Sequence, residues 1–153
     1  MVTALLLNLV HLKPGEALFL GAGNLHAYLG GTGVEIMANS DNVVRGGLTT
    51  KHIDIPTLLE VVDARPIEPA VQRPVAVEGV APYDTPVPEF ALERLDLDGS
   101  VAVSGPAILL CTDGAADVGS FPLERGAAAW LPAADGVVEL RGRGTVYRAG
   151  VNL

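Results

Sequence analysis

Glycine and proline interrupt this chain so often that no apolar run has room to become a long helix. The runs Leu5 to Val10, Ala17 to Leu20, Leu25 to Leu29 and Val34 to Met37 are separated by "KPGE", "GAG" and "GGTG". All three separators are turn-forming sequences. Short apolar segments between tight turns fold as strands, so the spacing predicts a strand meander and a mainly β protein. With 18 glycines, 11 prolines and only 5% aromatic residues among 153, the rest of the chain supports the same reading. A hydrophobic content of 49% is ample for a packed core.

Charge narrows the partners. The formal net charge is -8 and lysine and arginine are not clustered, which argues against a nucleic-acid or anionic membrane surface. Any anionic ligand must be held locally. Cys111 is the one cysteine, so an intrachain disulfide is excluded and a reducing, cytoplasmic location is expected. The opening "MVTALLLNLV" lacks a basic flank and a small-residue cleavage site and reads as core. No apolar run approaches the roughly 20 residues of a membrane-spanning helix.

One helix is expected. In "DIPTLLEVVDA", Asp54 can cap, Pro56 suits the first turn, and Leu58, Leu59 and Val62 recur at helical spacing. Residues 64–88 then hold six of the eleven prolines with little periodicity, and read as an extended connector. From Phe90 onward turn signals return every six to ten residues. That pattern predicts about seven strands in a small sandwich or jelly roll.

The chemistry-bearing residues concentrate between Gly23 and Lys51. In "NLHAYL" Asn24, His26 and Tyr28 alternate with apolar residues, so on a strand His26 and Tyr28 share a face. A hairpin loop at Gly30 to Gly33 sets Tyr28 opposite Glu35 and leaves His26 diagonal to it. A slip of one residue would move Glu35 away. Beyond it, "ANSDNVVRGGLTTK" carries Asp41, Arg45 and Lys51. Histidine and glutamate can ligate metal or move protons, and arginine with lysine can hold a phosphate or carboxylate. Each residue also has an ordinary role: Tyr28 and Glu35 as a cross-strand pair, Asp41 as a turn residue, Arg45 as its surface partner. His11 and His52, at a strand end and beside Lys51, have no such company.

The residues "LNLVHLKPGEALFLGAGNLHAYLGGTGVEIMANSDNVVRGGLTTKHIDIPTLL" resemble the C-terminal half of the type I mannose-6-phosphate isomerases, zinc-dependent enzymes of the cupin superfamily. His-x-Tyr, a glutamate nine residues after that histidine, and then "SDNVVRGGLT" carry the likeness. The later "TPVPEFALERLDL" and "RGRGTVYRAG" are similar to the family's small C-terminal β-domain. Gly21 and Thr50 depart from it, standing where the family commonly has proline.

The resemblance implies cupin or jelly-roll strands: part of a catalytic cupin with a short helix over residues 1–63, a connector over 64–88, and a cupin-like β-domain over 89–153. It implies zinc as cofactor with His26 as one ligand, Arg45, Asp41 and Glu35 as catalytic residues, and Tyr28 and Lys51 as substrate-binding residues. The family's other zinc ligands, a glutamine-x-histidine pair and a glutamate, would lie upstream of this chain. The partner implied is a sugar phosphate, exchanged between mannose 6-phosphate and fructose 6-phosphate. A C-terminal piece of such an enzyme would be inactive alone, and a homodimer of the chain is expected to cover its open strands. The alternative is a non-catalytic, sugar-binding or regulatory cupin.

Overall fold

The computed structural model describes residues 5–40, 43–47 and 49–152. Regular structure begins with the expected helix, α1 at Ile55–Val61. The Asp54 carboxylate accepts from the Thr57 backbone N–H at 3.2 Å and from the Thr57 hydroxyl at 2.8 Å. Pro56 falls in the first turn, where its missing N–H costs nothing. α1 has no buried residue, so the cap matters more to it than packing does.

Six strands follow: β1 at Val80–Pro82, β2 at Ala91–Ser104, β3 at Ala107–Val118, β4 at Phe121–Glu124, β5 at Ala128–Leu131 and β6 at Val137–Gly150. All pairs are antiparallel, in the order β1-β2-β6-β3-β4, with β5 also paired to β3. β2 and β6 stay in register from Ala91 opposite Gly150 to Ser104 opposite Val137. The protein is mainly β, as expected.

The strand count after Phe90 differs from expectation. Five strands occupy that region rather than about seven, because glycines that read as turns lie inside long strands. Along β6 the inner face runs Val138, Leu140, Gly142, Gly144, Val146, with two glycines where side chains would otherwise stand. A Cβ on Gly144 would lie 2.1 Å from the Asp113 carbonyl oxygen, and one on Gly142 would lie 2.3 Å from that of Ala115. The backbones of β3 and β6 approach there too closely for any side chain. Opposite them β3 shifts register between Cys111 and Asp113, and its buried face changes from Ala107, Leu109 and Cys111 to Ala116. That is the signature of a β-bulge, which bends a strand and flips its alternation. The bend lets both ends of β2, Leu95 and Val103, enter one cluster with Leu109, Leu123, Leu140 and Val146.

The first fifty residues depart further. None of the four runs read as a meander is a strand; the described residues between 5 and 54 contribute only an isolated bridge between Ala17 and Gln72. Alternation specifies which face a strand would bury, but the strand forms only when a neighbouring backbone completes its hydrogen bonds. Beyond Gln72 beside Ala17, no such neighbour stands beside these runs among the described residues. The turns are nonetheless present. Glu16 N–H donates to the Lys13 carbonyl at 2.9 Å in "KPGE", and Asn24 N–H to that of Gly21 at 3.3 Å in "GAG". Gly15 and Gly23 each supply a φ of 83°.

Residues 64–88 do more than connect. They provide β1 and the bridge at Gln72, and they carry anchors for the N-terminal segment. The Tyr83 hydroxyl donates to the Gly15 carbonyl at 3.1 Å, and Arg73 donates to the Glu16 carboxylate at 2.9 Å. The Tyr83 ring stacks on Tyr147 of β6, with centroids 6.5 Å apart. The "KPGE" turn is thereby tied to the sheet.

Candidate functional site

The turn at Gly21 to Asn24 places His26. The imidazole Nδ1 lies 3.1 Å from the Asn24 carbonyl oxygen. A carbonyl only accepts, so Nδ1 is the donor in this bond, which favours the tautomer with its lone pair on Nε2. Metal-ligating histidines are oriented in this way, with one ring nitrogen spent on a backbone carbonyl and the other free for the ion. Sequence reasoning missed the Asn24 carbonyl; the glycine turn just before the histidine was its signal.

Tyr28 stands edge-on to His26, with ring centroids 6.1 Å apart and planes at 76°. Across the glycine loop its hydroxyl donates to Glu35 Oε1 at 2.7 Å. The spacing of "YLGGTGVE" thus brings the two side chains together although no ladder joins their backbones. Loss of water around the hydroxyl, and then the Glu35 hydrogen bond, push the Tyr28 phenol up to about 12. At neutral pH the phenol therefore stays protonated and keeps donating.

Tyr28 contacts both His26 and Glu35, and among the described residues Arg45 and Lys51 make no hydrogen bond or ring contact with any of the three. Arg45 is exposed and makes no hydrogen bond or ion pair among the described residues. Lys51 is exposed, and its backbone N–H donates to the Thr49 hydroxyl at 3.1 Å. Asp41 lies outside the described residues.

Two shallow clefts of about 170 and 180 Å³ lie in the C-terminal sheet, one floored by Leu95 and Val103, the other by Ala116 and Leu123. No candidate residue lines either. In the first, Arg148 is fully engaged by the Glu93 carboxylate at 2.9 Å and the Ser104 carbonyl at 2.8 Å. Cys111 is unpaired and buried, and burial pushes its thiol up, away from reactivity.

Among the described residues no group of three or more His, Cys, Asp and Glu stands close enough to hold a metal ion. His26 fits as one zinc ligand, but a zinc site takes three or four.

Comparison with known proteins gives these residues a context. The chain is 41% identical to the mannose-6-phosphate isomerase of Escherichia coli K12, over 94% of this chain and 39% of that protein. Its homologues are mannose-6-phosphate isomerases. The bovine enzyme is 42% identical over 86% of the chain, and an Arabidopsis thaliana enzyme 36% identical over 99%. The structure superposes on phosphomannose isomerase from Salmonella typhimurium with its substrate fructose 6-phosphate and zinc bound, at a TM-score of 0.63 and 34% identity. That match covers 76% of this chain and 32% of the other. The likeness falls on the C-terminal part of those mannose-6-phosphate isomerases, and the chain spans about two fifths of their length. No family model matches the chain.

Proposed function

We propose that this chain is the C-terminal part of a mannose-6-phosphate isomerase, and that it carries one wall of the site that interconverts mannose 6-phosphate and fructose 6-phosphate. The observation that carries the reading is the chain of contacts from His26 to Tyr28 and from Tyr28 to Glu35, with His26 Nδ1 held by the Asn24 carbonyl. Solved variants of the Salmonella enzyme support it. They replace a histidine, a glutamate nine residues later and an arginine ten residues after that, which is the spacing of His26, Glu35 and Arg45. Other variants in that series replace a histidine and a glutamate more than a hundred positions before that histidine, farther than this sequence extends before His26.

The reaction needs a base to take the proton from the carbon next to the carbonyl, stabilisation of the enediol, and a grip on the phosphate. Zinc, when bound, would polarise the sugar oxygens. His26 would be one of its ligands, oriented by the Asn24 carbonyl. Glu35 is a proton carrier whose position Tyr28 holds; Asp41 is the other candidate. Arg45, exposed and without a partner among the described residues, would meet the negative charge that develops on the enediol oxygen. Tyr28 and Lys51 would contact the substrate. Residues 1–63 form the catalytic portion, 64–88 the connector and 89–153 the supporting β-domain. The buried, unpaired Cys111 suits a reducing cytoplasm.

The test is a chimera in which this chain replaces the matching part of the E. coli enzyme. It should turn over mannose 6-phosphate, whereas the isolated chain with added zinc should not reach roughly one turnover per second. In the chimera Arg45→Ala should lower kcat about a hundredfold or more with zinc retained, and His26→Ala should lower zinc content. Intact turnover in an unfolded-leaning Arg45→Ala protein would make Arg45 structural and sink the reading. A second reading, a non-catalytic sugar-binding module, is favoured by the lack of a three-ligand group among the described residues. It expects a chimera that binds sugar phosphate without turnover.

A further inference from the structure

We infer that the chain just past α1 clamps the turn at Gly21 to Asn24, and that Gly23 and Asp63 are positioning residues which fix the orientation of the His26 ring through the backbone. The clamp rests on geometry alone, and only its use in holding zinc rests on the proposed function. The peptide between Gly23 and Asn24 is tied at both ends: its carbonyl accepts from the Asp63 N–H at 3.0 Å, and its N–H donates to the Gly21 carbonyl at 3.3 Å. The next carbonyl along, that of Asn24, is the one that meets His26 Nδ1 at 3.1 Å. Only the two backbone dihedrals of Asn24 separate it from the held plane. Glycine is required at the clamp twice over. Its φ of 83° is one that side chains rarely adopt, and a Cβ there would lie 2.6 Å from the Val61 carbonyl oxygen and 3.2 Å from the Asp63 nitrogen. Any side chain would push the donor away from its acceptor. Asp63 is in turn held by Arg65, whose backbone N–H donates to the carboxylate at 3.0 Å and whose guanidinium donates at 2.6 Å. The Arg65 side chain is 85% exposed, so its ion pair adds little, and the Asp63 N–H with the close approach of Gly23 carries the clamp. A backbone partner on one ring nitrogen orients the other toward a metal, and its loss is felt in metal affinity.

The test reads the His26 ring directly, by nitrogen-15 NMR of the isolated full chain at a pH where the imidazole is neutral. His26 should favour the proton on Nδ1. His11, exposed and without a hydrogen bond among the described residues, supplies the unconstrained ratio of tautomers in the same spectrum. Two variants break the clamp: Gly23→Ala, and Asp63→Pro, which removes the donating N–H behind a Val62 already extended at φ -69° and ψ 130°. In each, the ratio of Nδ1-protonated to Nε2-protonated His26 should fall roughly fivefold toward that of His11, the worth of one ordinary hydrogen bond. Asp63→Asn, which keeps the N–H, and Gly126→Ala, at a φ of 86° in the turn between β4 and β5, should leave it unchanged. Where Gly23→Ala alone loses the sheet, Asp63→Pro decides. An unchanged ratio in a folded variant of either kind overturns the inference, and so does loss of the β2 to β6 signals in both, which would make the pair a folding element. Zinc is read separately, in the chimera with the E. coli enzyme, where Gly23→Ala should weaken retention against a chelator roughly ten- to hundredfold. A ratio that responds while zinc retention does not keeps the clamp and overturns the reading of His26 as a ligand.

Discussion

The Tyr28 hydroxyl donates to Glu35 Oε1 at 2.7 Å across a loop of three glycines and a threonine, with no strand ladder beneath it. This one bond ties the carboxylate to the tyrosine whose ring stands edge-on to His26. It also makes the tyrosine a reporter of the site.

Ultraviolet titration of the isolated chain should show the Tyr28 phenol ionising near the value of about 12 to which it is pushed, and Glu35→Gln should bring it back toward 10. Tyr83, pushed to about 12 chiefly by burial, should not respond to that change. Both phenols hold their protons more tightly folded than unfolded. Their contribution to stability is therefore complete below pH 10 and lost as pH rises from 10 to 12. A fixed stability across that interval would contradict the assignment.

Removing the Asp54 cap should fray α1 without unfolding the sheet. In Asp54→Ala the amides of Leu58 and its neighbours should exchange faster, while those of β6 stay protected. The Asp54 carboxyl is held below its usual value, first by its bonds from Thr57. The cap is thus present above the ordinary carboxylate range and lost as pH falls through that lowered value.

Stability should reside in the curled sheet. Leu109 is wholly buried, so Leu109→Ala should cost roughly 2–5 kcal/mol in urea unfolding. Leu9→Ala, at an exposed position in the isolated chain, should shift the midpoint little.

Gly144→Ala tests the bend. The new methyl would meet the Asp113 carbonyl oxygen at 2.1 Å, at a φ of 138° that side chains rarely adopt. Roughly 1–3 kcal/mol of backbone strain plus the clash is expected, read as a lowered unfolding midpoint with unchanged far-ultraviolet dichroism of the refolded protein. Ala substitution at Gly126, whose added Cβ meets nothing within 4 Å, controls for φ alone.

What could be read from the sequence was local. Asp54 and Pro56 marked the start of α1, since capping acts within one turn, whereas the stretch read as helical runs on to Ala64 and the helix stops at Val61, with Val62 already extended. The glycine loop between Tyr28 and Glu35 implied their meeting, because four residues leave the chain little else to do. What the sequence could not settle was non-local. "DLDG" and "RGRG" carry the same glycines a turn would, and only the pairing of β6 with β2 and β3 decides that Gly99, Gly142 and Gly144 sit inside strands. The apolar runs of residues 5–37 have strand periodicity but are not strands here. A ladder is a property of two backbones, and one sequence segment supplies only the first.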